Sequence, residues 1–511
     1  MFTLKNNFKI LPFILIISCL NFLFFHIPFF NFVFENINYK SLSGFFVITS
    51  LIVLMILLNA FVFFLLLFLS QRIGKFILVL FFLFNSIAFY FVSTYGIIID
   101  ESMIGNVLNT NYEESSSYFS LKLVLYLIFL GVLPSYLIVK SKIESVSLKQ
   151  FSILSSLTLL SALFLVFVNA SNWLWIDKNS KKLGGLAMPW SYVVNTSLFY
   201  IHQHKKNEKE ILLPDAKIKD NEKAIVVLII GESARRQNFS LYGYSKNTNP
   251  LLSKTQNLFH FDANSSATYT TAGVKSILDH KETNDLYEIL PNYLYRNDVE
   301  VIWRTTNWGE PPVHVKNYQN KKYLQANCKE DYCGYDEVLL NGLKEQVLAS
   351  KKNKILIVLH TSTSHGPSYY KKYPVQFEHF TPVCKSVELS NCSKVELINA
   401  YDNSIVYTDY ILYKTIESLK QLNSYKSTML FVSDHGESLG ENNLYMHGIP
   451  MSIAPKEQYE IPFIVWVSDA SKIKVKKMDN LSQYHVFHSV LHFLNIESPI
   501  YKEDMNIFEY K

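Results

Sequence analysis

The sequence predicts a helical membrane domain of five spans joined to an extramembrane α/β domain. Three observations carry that prediction. Of 511 residues, 49% are hydrophobic and only 18% charged, a balance too apolar for a single soluble protein. The excess is concentrated in charge-free runs before about residue 170, whereas the remainder alternates β-branched runs, turns and charges. Four of the five cysteines fall in that second part as two close pairs. The length suits two or three structural units. A net charge of +5 with scattered Lys and Arg gives no basic stripe, which excludes a nucleic-acid partner.

Five apolar segments are legible, at 10–34, 45–69, 76–99, 123–139 and 151–168. A bilayer core of about 30 Å needs roughly 20 helical residues, with about 17 tolerated, so the first three are ample and the last two near the limit. The first run is far longer than a signal core and has no small-residue cleavage site, so it reads as a retained anchor. Lys5, Lys9, Arg72, Lys75, Lys140, Lys142 and Lys149 fall on one side of these spans; Asp100, Glu101, Glu113 and Glu114 fall on the other. By the positive-inside rule the N-terminus is cytoplasmic, and an odd number of spans places everything after residue 170 outside.

The cysteines test that orientation independently. Cys19 lies in the first run; Cys328 with Cys333 and Cys384 with Cys392 are spaced for local disulfides in an oxidising compartment. Free thiols or a metal knuckle are the alternative, disfavoured because neither pair has a His-rich context. Each bridge would close a short loop, worth roughly 2 to 2.5 kcal/mol of chain entropy at most.

Between the two parts, Trp173, Trp175, Trp190 and Tyr192 are interleaved with Lys178, Lys181 and Lys182, and 189–203 has the pattern of an amphipathic helix. Such side chains favour the headgroup zone. An ordinary packed linker is the competing reading. The expected organisation is a membrane domain over 1–170, an interfacial linker over 171–222 and a soluble domain over 223–511.

In the soluble part, β-branched runs at 224–230, 299–303, 354–360, 428–433 and 461–466 alternate with helical stretches such as 398–422. Continuous apolar runs joined by helices predict a mostly parallel sheet with helices on both faces. Ligands then bind beyond the carboxyl ends of the strands. No Walker A loop or dinucleotide fingerprint occurs, so a nucleotide cofactor has no support.

At those ends, the first run leads into Gly231-Glu232-Ser233 and the fourth into Asp434-His435-Gly436-Glu437. Two carboxylates and an imidazole are donors that zinc accepts. Either motif alone would be weak, since a carboxylate after a strand is more often a cap or turn residue. Together they resemble the alkaline-phosphatase/sulfatase superfamily. One branch is matched closely: VVLIIGESARRQNFSLYGYSKNTNP from Val226, HTSTSHGPSYY from His360, 380–403 with Cys384 and Cys392, and SDHGESLGENNLYMHG from Ser433 resemble the signature of bacterial phosphoethanolamine transferases. That family includes the lipid A enzymes and the mobilised colistin-resistance enzymes, and the resemblance spans essentially the whole chain.

The resemblance implies a zinc ion held by Glu232, Asp434, His435 and a nucleophilic threonine. Ungapped counting from Glu232 favours Thr271, whereas the match of Val274 and Ile277-Leu278 favours Thr270, which is preferred. It also implies disulfides at the two cysteine pairs. His365 and His447 match histidines that hold the transferred phosphate or a second zinc, and an imidazole near pH 7 also shuttles protons. In the outer loop, Asn106, Thr110 and Glu114 match lipid-facing residues, and a carboxylate there would pair with an ethanolamine ammonium; an acidic outer loop that merely follows from topology is the alternative. Two features depart from the lipid A branch. Ser266 and Ser276 stand where a disulfide flanks the nucleophile, and the run Trp303 to Val313 lacks a substrate lysine, leaving Arg304 as its substitute or a different acceptor.

The implied activity is transfer of phosphoethanolamine from phosphatidylethanolamine to lipid A or another surface glycan through a phosphothreonine-type intermediate, by a monomer in the bacterial inner membrane with its catalytic domain in the periplasm. A phosphoglycerol transferase of the lipoteichoic-acid-synthase type, and a non-catalytic membrane sensor with this fold, remain as alternatives. The orientation argument makes a direct prediction: a reporter fused after Lys511 should be active in the periplasm, and cytoplasmic activity would overturn the odd number of spans.

Overall fold

The computed structural model describes residues 7–110, 112–168, 175–176, 179–206, 210–469 and 471–510. The chain divides into two compact units, one of Met1–Ile104 with Phe119–Tyr200 and one of Gly105–Tyr118 with Ile201–Lys511.

In the first unit four helices are long and apolar enough to cross a membrane: Gly44–Leu69, Gln71–Tyr95, Leu121–Lys140 and Leu148–Phe167. The first apolar run is not the straight span that its length predicts. It forms two helices, Ile10–Phe25 and Ile27–Asn36, bent by 65° at His26, and counts as a fifth span only if the pair crosses together. Pro28 in the first turn of the second helix explains the break. It has no N–H to bond the preceding turn, and its ring clashes with a continuing helix.

Local signals set the other ends. Ser41 and Ser70 accept hydrogen bonds from the Gly44 and Ile73 amides as N-caps, and Gly96 closes Gln71–Tyr95 with a left-handed φ of 71°.

Three asparagines are fully buried in these apolar helices: Asn21, Asn59 and Asn85. Asn85 donates to Asn21 Oδ1 (2.7 Å), Tyr192 donates to Asn85 Oδ1 (2.9 Å), Trp190 donates to Asn59 Oδ1 (3.0 Å) and Asn21 donates to the Met188 carbonyl (3.2 Å). The amphipathic stretch does form a helix, Trp190–Lys206. Its leading aromatics, Trp190 and Tyr192, donate to asparagine oxygens on the apolar helices. Trp173 and Lys178 lie outside the described residues.

In the second unit the strands of the main sheet, numbered along the chain, are β1 Ala224–Gly231, β2 Leu258–Asn264, β3 Glu300–Thr305, β4 Asn317–Gln319, β5 Lys354–His360, β6 Lys426–Ser433, β7 Glu460–Val467 and β8 Leu481–Ser482. Their order is β8-β2-β7-β6-β1-β5-β3-β4. Pairing is parallel except at β7, which runs antiparallel to β2 and β6. Every residue of β1 and β5 is buried, as the continuous apolar runs required. β2 was not legible, because LFHFDAN mixes polar and apolar residues and only Phe261 and Ala263 are buried; pairing with β7 and β8 defines it.

Val226, Leu228 and Ile230 join Leu430, Val432, Phe463 and Val465 in the core, against Ile277 and Leu278 of helix Thr270–Leu278 and Phe487 and Leu491 of helix His485–Phe493. The intervening Ile225, Val227 and Ile229 face the other side and are equally buried, so both faces of the sheet are covered. The long helix Lys394–Lys420 starts at a capping box in which Ser393 and Glu396 cap each other's amides.

Disulfides join Cys328 to Cys333 and Cys384 to Cys392. Both are local clasps, so the paired variant Cys328→Ser/Cys333→Ser should lose no more than about 2 kcal/mol of stability, read from its denaturation midpoint, and should keep its activity. A global loss of folding would show the bridge to be more than a loop clasp.

Candidate metal centre and active site

Register at the carboxyl ends of the strands assembles the site. Gly231 at the end of β1 pairs with Ser433 at the end of β6, and the Asp434 amide donates to the Gly231 carbonyl (2.9 Å), so Glu232 and the Asp434-His435 pair emerge side by side. The candidate ligand atoms of Glu232, Asp434 and His435 lie within 4.8 Å of one another, and all three residues are buried. His435 Nε2 is 3.5 Å from Glu232 Oε1 and 3.4 Å from Asp434 Oδ2.

Thr270 opens helix Thr270–Leu278 and is 3% exposed. Its hydroxyl donates to Glu232 Oε2 (3.4 Å) and lies 3.3 Å from His435 Nε2. Thr271 is half-buried, and its methyl group lies toward Gly309. Gly273 permits this approach: a Cβ there would sit 2.2 Å from the Asp434 carbonyl oxygen, so any larger residue would push the threonine helix off the ligand loop.

The electrostatics are those of a site built around a cation. Burial, with His447 adding, drives the His435 imidazole down to about 3, so it is neutral. Burial and the neighbouring Glu232 raise Asp434 well above the usual carboxylate range. For Glu232 burial works in the same upward direction, but His435, His365 and His447 outweigh it and hold this carboxyl below its ordinary value. Asp434 Oδ2 is buried without a hydrogen-bond partner. Two carboxylates and one imidazole lone pair converging, with Asp434 Oδ2 left unpartnered, fit a divalent ion of the zinc kind.

The three histidines share one arrangement. His435 Nδ1 donates to the Gly436 carbonyl (2.8 Å), His365 Nδ1 to the Gly366 carbonyl (2.6 Å) and His447 Nδ1 to Glu437 Oε2 (3.0 Å). Each such bond fixes the tautomer that leaves Nε2 as the lone-pair nitrogen. The His435 and His447 rings are 4.3 Å apart and those of His365 and His447 5.5 Å. His435, Glu437 and His447 form a second group with metal-ligand spacing.

Several residues of the site escaped the sequence reading. Glu437 holds His447 and accepts from the Tyr369 hydroxyl (2.9 Å); its place two residues after His435 was the available signal. Asn307 donates to Glu232 Oε2 (2.7 Å) and to the Thr361 carbonyl (2.9 Å), and nothing in its sequence context marks it. Asp336 gathers the Ser362 and Thr363 amides (2.9 and 2.8 Å), shaping the loop that carries His365.

Arg304 does not stand in for the missing lysine. It is 4% exposed, and its guanidinium donates to the Leu339 and Asn341 carbonyls and to Gln346 Oε1, all at 2.8 Å, so the strand buries it as a loop brace. Asn106 and Thr110 are adjacent, the Thr110 hydroxyl donating to the Asn106 carbonyl (2.7 Å), and no hydrogen bond among the described residues joins them to the cluster. The Glu114 side chain lies outside the described residues.

A cavity of about 290 Å³ reaches the cluster through His365, with Asn307, Trp308, Lys371 and Lys372 in its wall. The larger cavity of about 820 Å³, walled by Lys223, Lys426 and Ser468, opens at the opposite ends of the strands, away from this chemistry.

This sheet, with two carboxylates and an imidazole gathered beside a buried threonine at the carboxyl ends of its strands, defines a sulfatase-like enzyme domain with a candidate metal site, and residues 224–496 match the family described as Sulfatase. Residues 55–204 match the family described as Phosphoethanolamine transferase EptA/EptB. The chain is 40% identical over 506 residues to phosphoethanolamine transferase EptA of Helicobacter pylori, covering 95% of this chain and 94% of that protein. It is 30% identical over 438 residues to phosphatidylethanolamine transferase Mcr-1 of Escherichia coli, covering 79% and 80%. The integral membrane lipooligosaccharide phosphoethanolamine transferase A of Neisseria meningitidis superposes with a TM-score of 0.87 at 26% identity, over 97% of this chain and 98% of that one. The chain belongs to the EptA family of phosphoethanolamine transferases.

The geometry separates ligands from their supports. Glu232→Ala, Asp434→Ala and His435→Ala should each lose bound metal and activity together. Asn307→Ala should fold normally and weaken metal affinity or activity by about 10- to 100-fold, measured by metal retention against a chelator and by turnover. A ligand variant that is metal-free yet fully active would refute the centre.

Proposed function

We propose that this inner-membrane protein, through its periplasmic domain at 223–511, is a zinc-dependent transferase that moves phosphoethanolamine from phosphatidylethanolamine to lipid A or another surface glycan. The observation that carries the reading is the Thr270 hydroxyl, buried at a helix N-terminus within 3.4 Å of Glu232 and 3.3 Å of His435. The phosphoethanolamine transferases to which the chain is similar supply the transferred group.

Glu232, Asp434, His435 and Thr270 Oγ1 would hold the zinc. When bound, the ion supplies a lowered threonine pKa and neutralises charge that develops on phosphorus. Thr270 Oγ1 attacks phosphorus, the phosphorus–oxygen bond to diacylglycerol breaks, and the threonine proton ends on the departing diacylglycerol oxygen. The N-terminal amides of helix Thr270–Leu278 favour the negative phosphoryl oxygens. His447, oriented by Glu437, and His365 carry the proton between attacking and leaving oxygens. In the second half an acceptor oxygen attacks the same phosphorus, Thr270 regains its proton, and the enzyme is restored.

Incubation with phosphatidylethanolamine alone should leave phosphoethanolamine on Thr270, with a burst of about one diacylglycerol per active site. Thr270→Ala should abolish the adduct, and Thr271→Ala should keep it. An adduct mapped to Thr271 would move the nucleophile by one residue. No adduct on folded, zinc-loaded, active protein would sink the covalent mechanism.

A further inference from the structure

The nucleophile and its metal ligands sit on different loops. The chain has no cysteine between Cys19 and Cys328, so no covalent bond ties the segment around Thr270 to its surroundings. Misplacement by about 1 Å costs on the order of 100-fold in rate. Something non-covalent must therefore fix the separation.

Strand register puts a candidate there. β8 pairs with the end of β2, Leu481 opposite Ala263 and Ser482 opposite Asn264, so the next residues of both strands emerge together: Gln483 on one side, Ser265 and Ser266 on the other. Gln483 is fully buried. Its oxygen accepts from the Ser266 amide (3.0 Å), and its nitrogen donates to the Ser433 carbonyl (3.0 Å) and the Asp434 carbonyl (2.7 Å). One amide thus spends both N–H donors on the ligand loop and its acceptor on the nucleophile segment.

Apart from the contacts of the Thr270 hydroxyl itself with Glu232 and His435, the named bonds of that segment run elsewhere. The Ser265 amide reaches the Tyr459 carbonyl, and the Thr268 hydroxyl reaches the Ile449 carbonyl. Among the described side chains, Gln483 hydrogen-bonds both loops at once. Buried, it has no water to compete for those bonds, so each is stronger than at the surface.

We infer that Gln483 is a positioning residue that locks the Thr270 segment to the Asp434-His435 loop. It touches neither substrate nor reacting atoms; it sets where the threonine oxygen stands. The inference rests on the proposed roles of Thr270 and Asp434, and the experiment separates the two.

Full-length wild type, Gln483→Met and Gln483→Glu, all zinc-loaded, are compared for zinc per chain, thermal midpoint, KM for phosphatidylethanolamine, kcat, and the single-turnover rate of Thr270 adduct formation at 10 °C. Gln483→Met removes all three bonds; Gln483→Glu keeps the acceptor for Ser266 and loses the donors. Both should retain zinc and KM within about twofold while kcat and the adduct rate fall by about 10- to 100-fold, at 10 °C as at higher temperature. If Gln483→Met does not fold, the same loss is read in Gln483→Glu. An adduct rate at the wild-type level, a deficit that vanishes in the cold, or a loss proportional to missing zinc would each overturn the inference. Absence of a Thr270 adduct in wild type would instead overturn the proposed mechanism.

Discussion

The outer domain depends on one electrostatic constraint: two carboxylates and an imidazole are buried within a few ångströms of each other. Burying like charges is costly unless a counter-charge offsets it. Here the imidazole beside both carboxylates, His435, is driven neutral by burial, and Asp434 Oδ2 has no hydrogen-bond partner. A divalent ion would offset that cost, which is the physical reason these buried groups fit a metal centre.

The surroundings read as the means of holding that arrangement. His435, His365 and His447 each have the Nδ1 proton committed to a carbonyl or carboxylate, so in the neutral ring Nε2 carries the lone pair. Asn307 fixes one oxygen of Glu232, and the absence of a Cβ at Gly273 lets the threonine helix pack onto the Asp434 carbonyl. Arg304, which sequence position made a candidate for substrate contact, is consumed by loop carbonyls instead. Distance along the chain says little about which way a guanidinium points from a buried strand.

In the membrane unit the governing rule is that polar groups need partners where water is scarce. Asn21 and Asn85 bond each other, and Tyr192 and Trp190 donate to the side-chain oxygens of Asn85 and Asn59, which ties the start of helix Trp190–Lys206 to the apolar helices that carry those asparagines. Trp190 and Tyr192, read from sequence as interfacial side chains, direct their polar ends to these asparagines.

The sequence by itself determined the apolar spans, the buried strands β1 and β5, the cysteine pairs and the identities of Glu232, Asp434 and His435. Each of these is written in local composition or in short motifs at strand ends, where hydrophobic burial and ligand chemistry act over a few residues. Only the tertiary structure decided the bend at His26, the mixed strand β2, the distances from Thr270 to Glu232 and His435, and the places of Asn307, Glu437 and Gln483. Those depend on which strands lie in register and how closely two loops approach. Contacts between residues about 40 to about 220 positions apart leave no local pattern to read, because either partner alone is an ordinary polar residue in a turn.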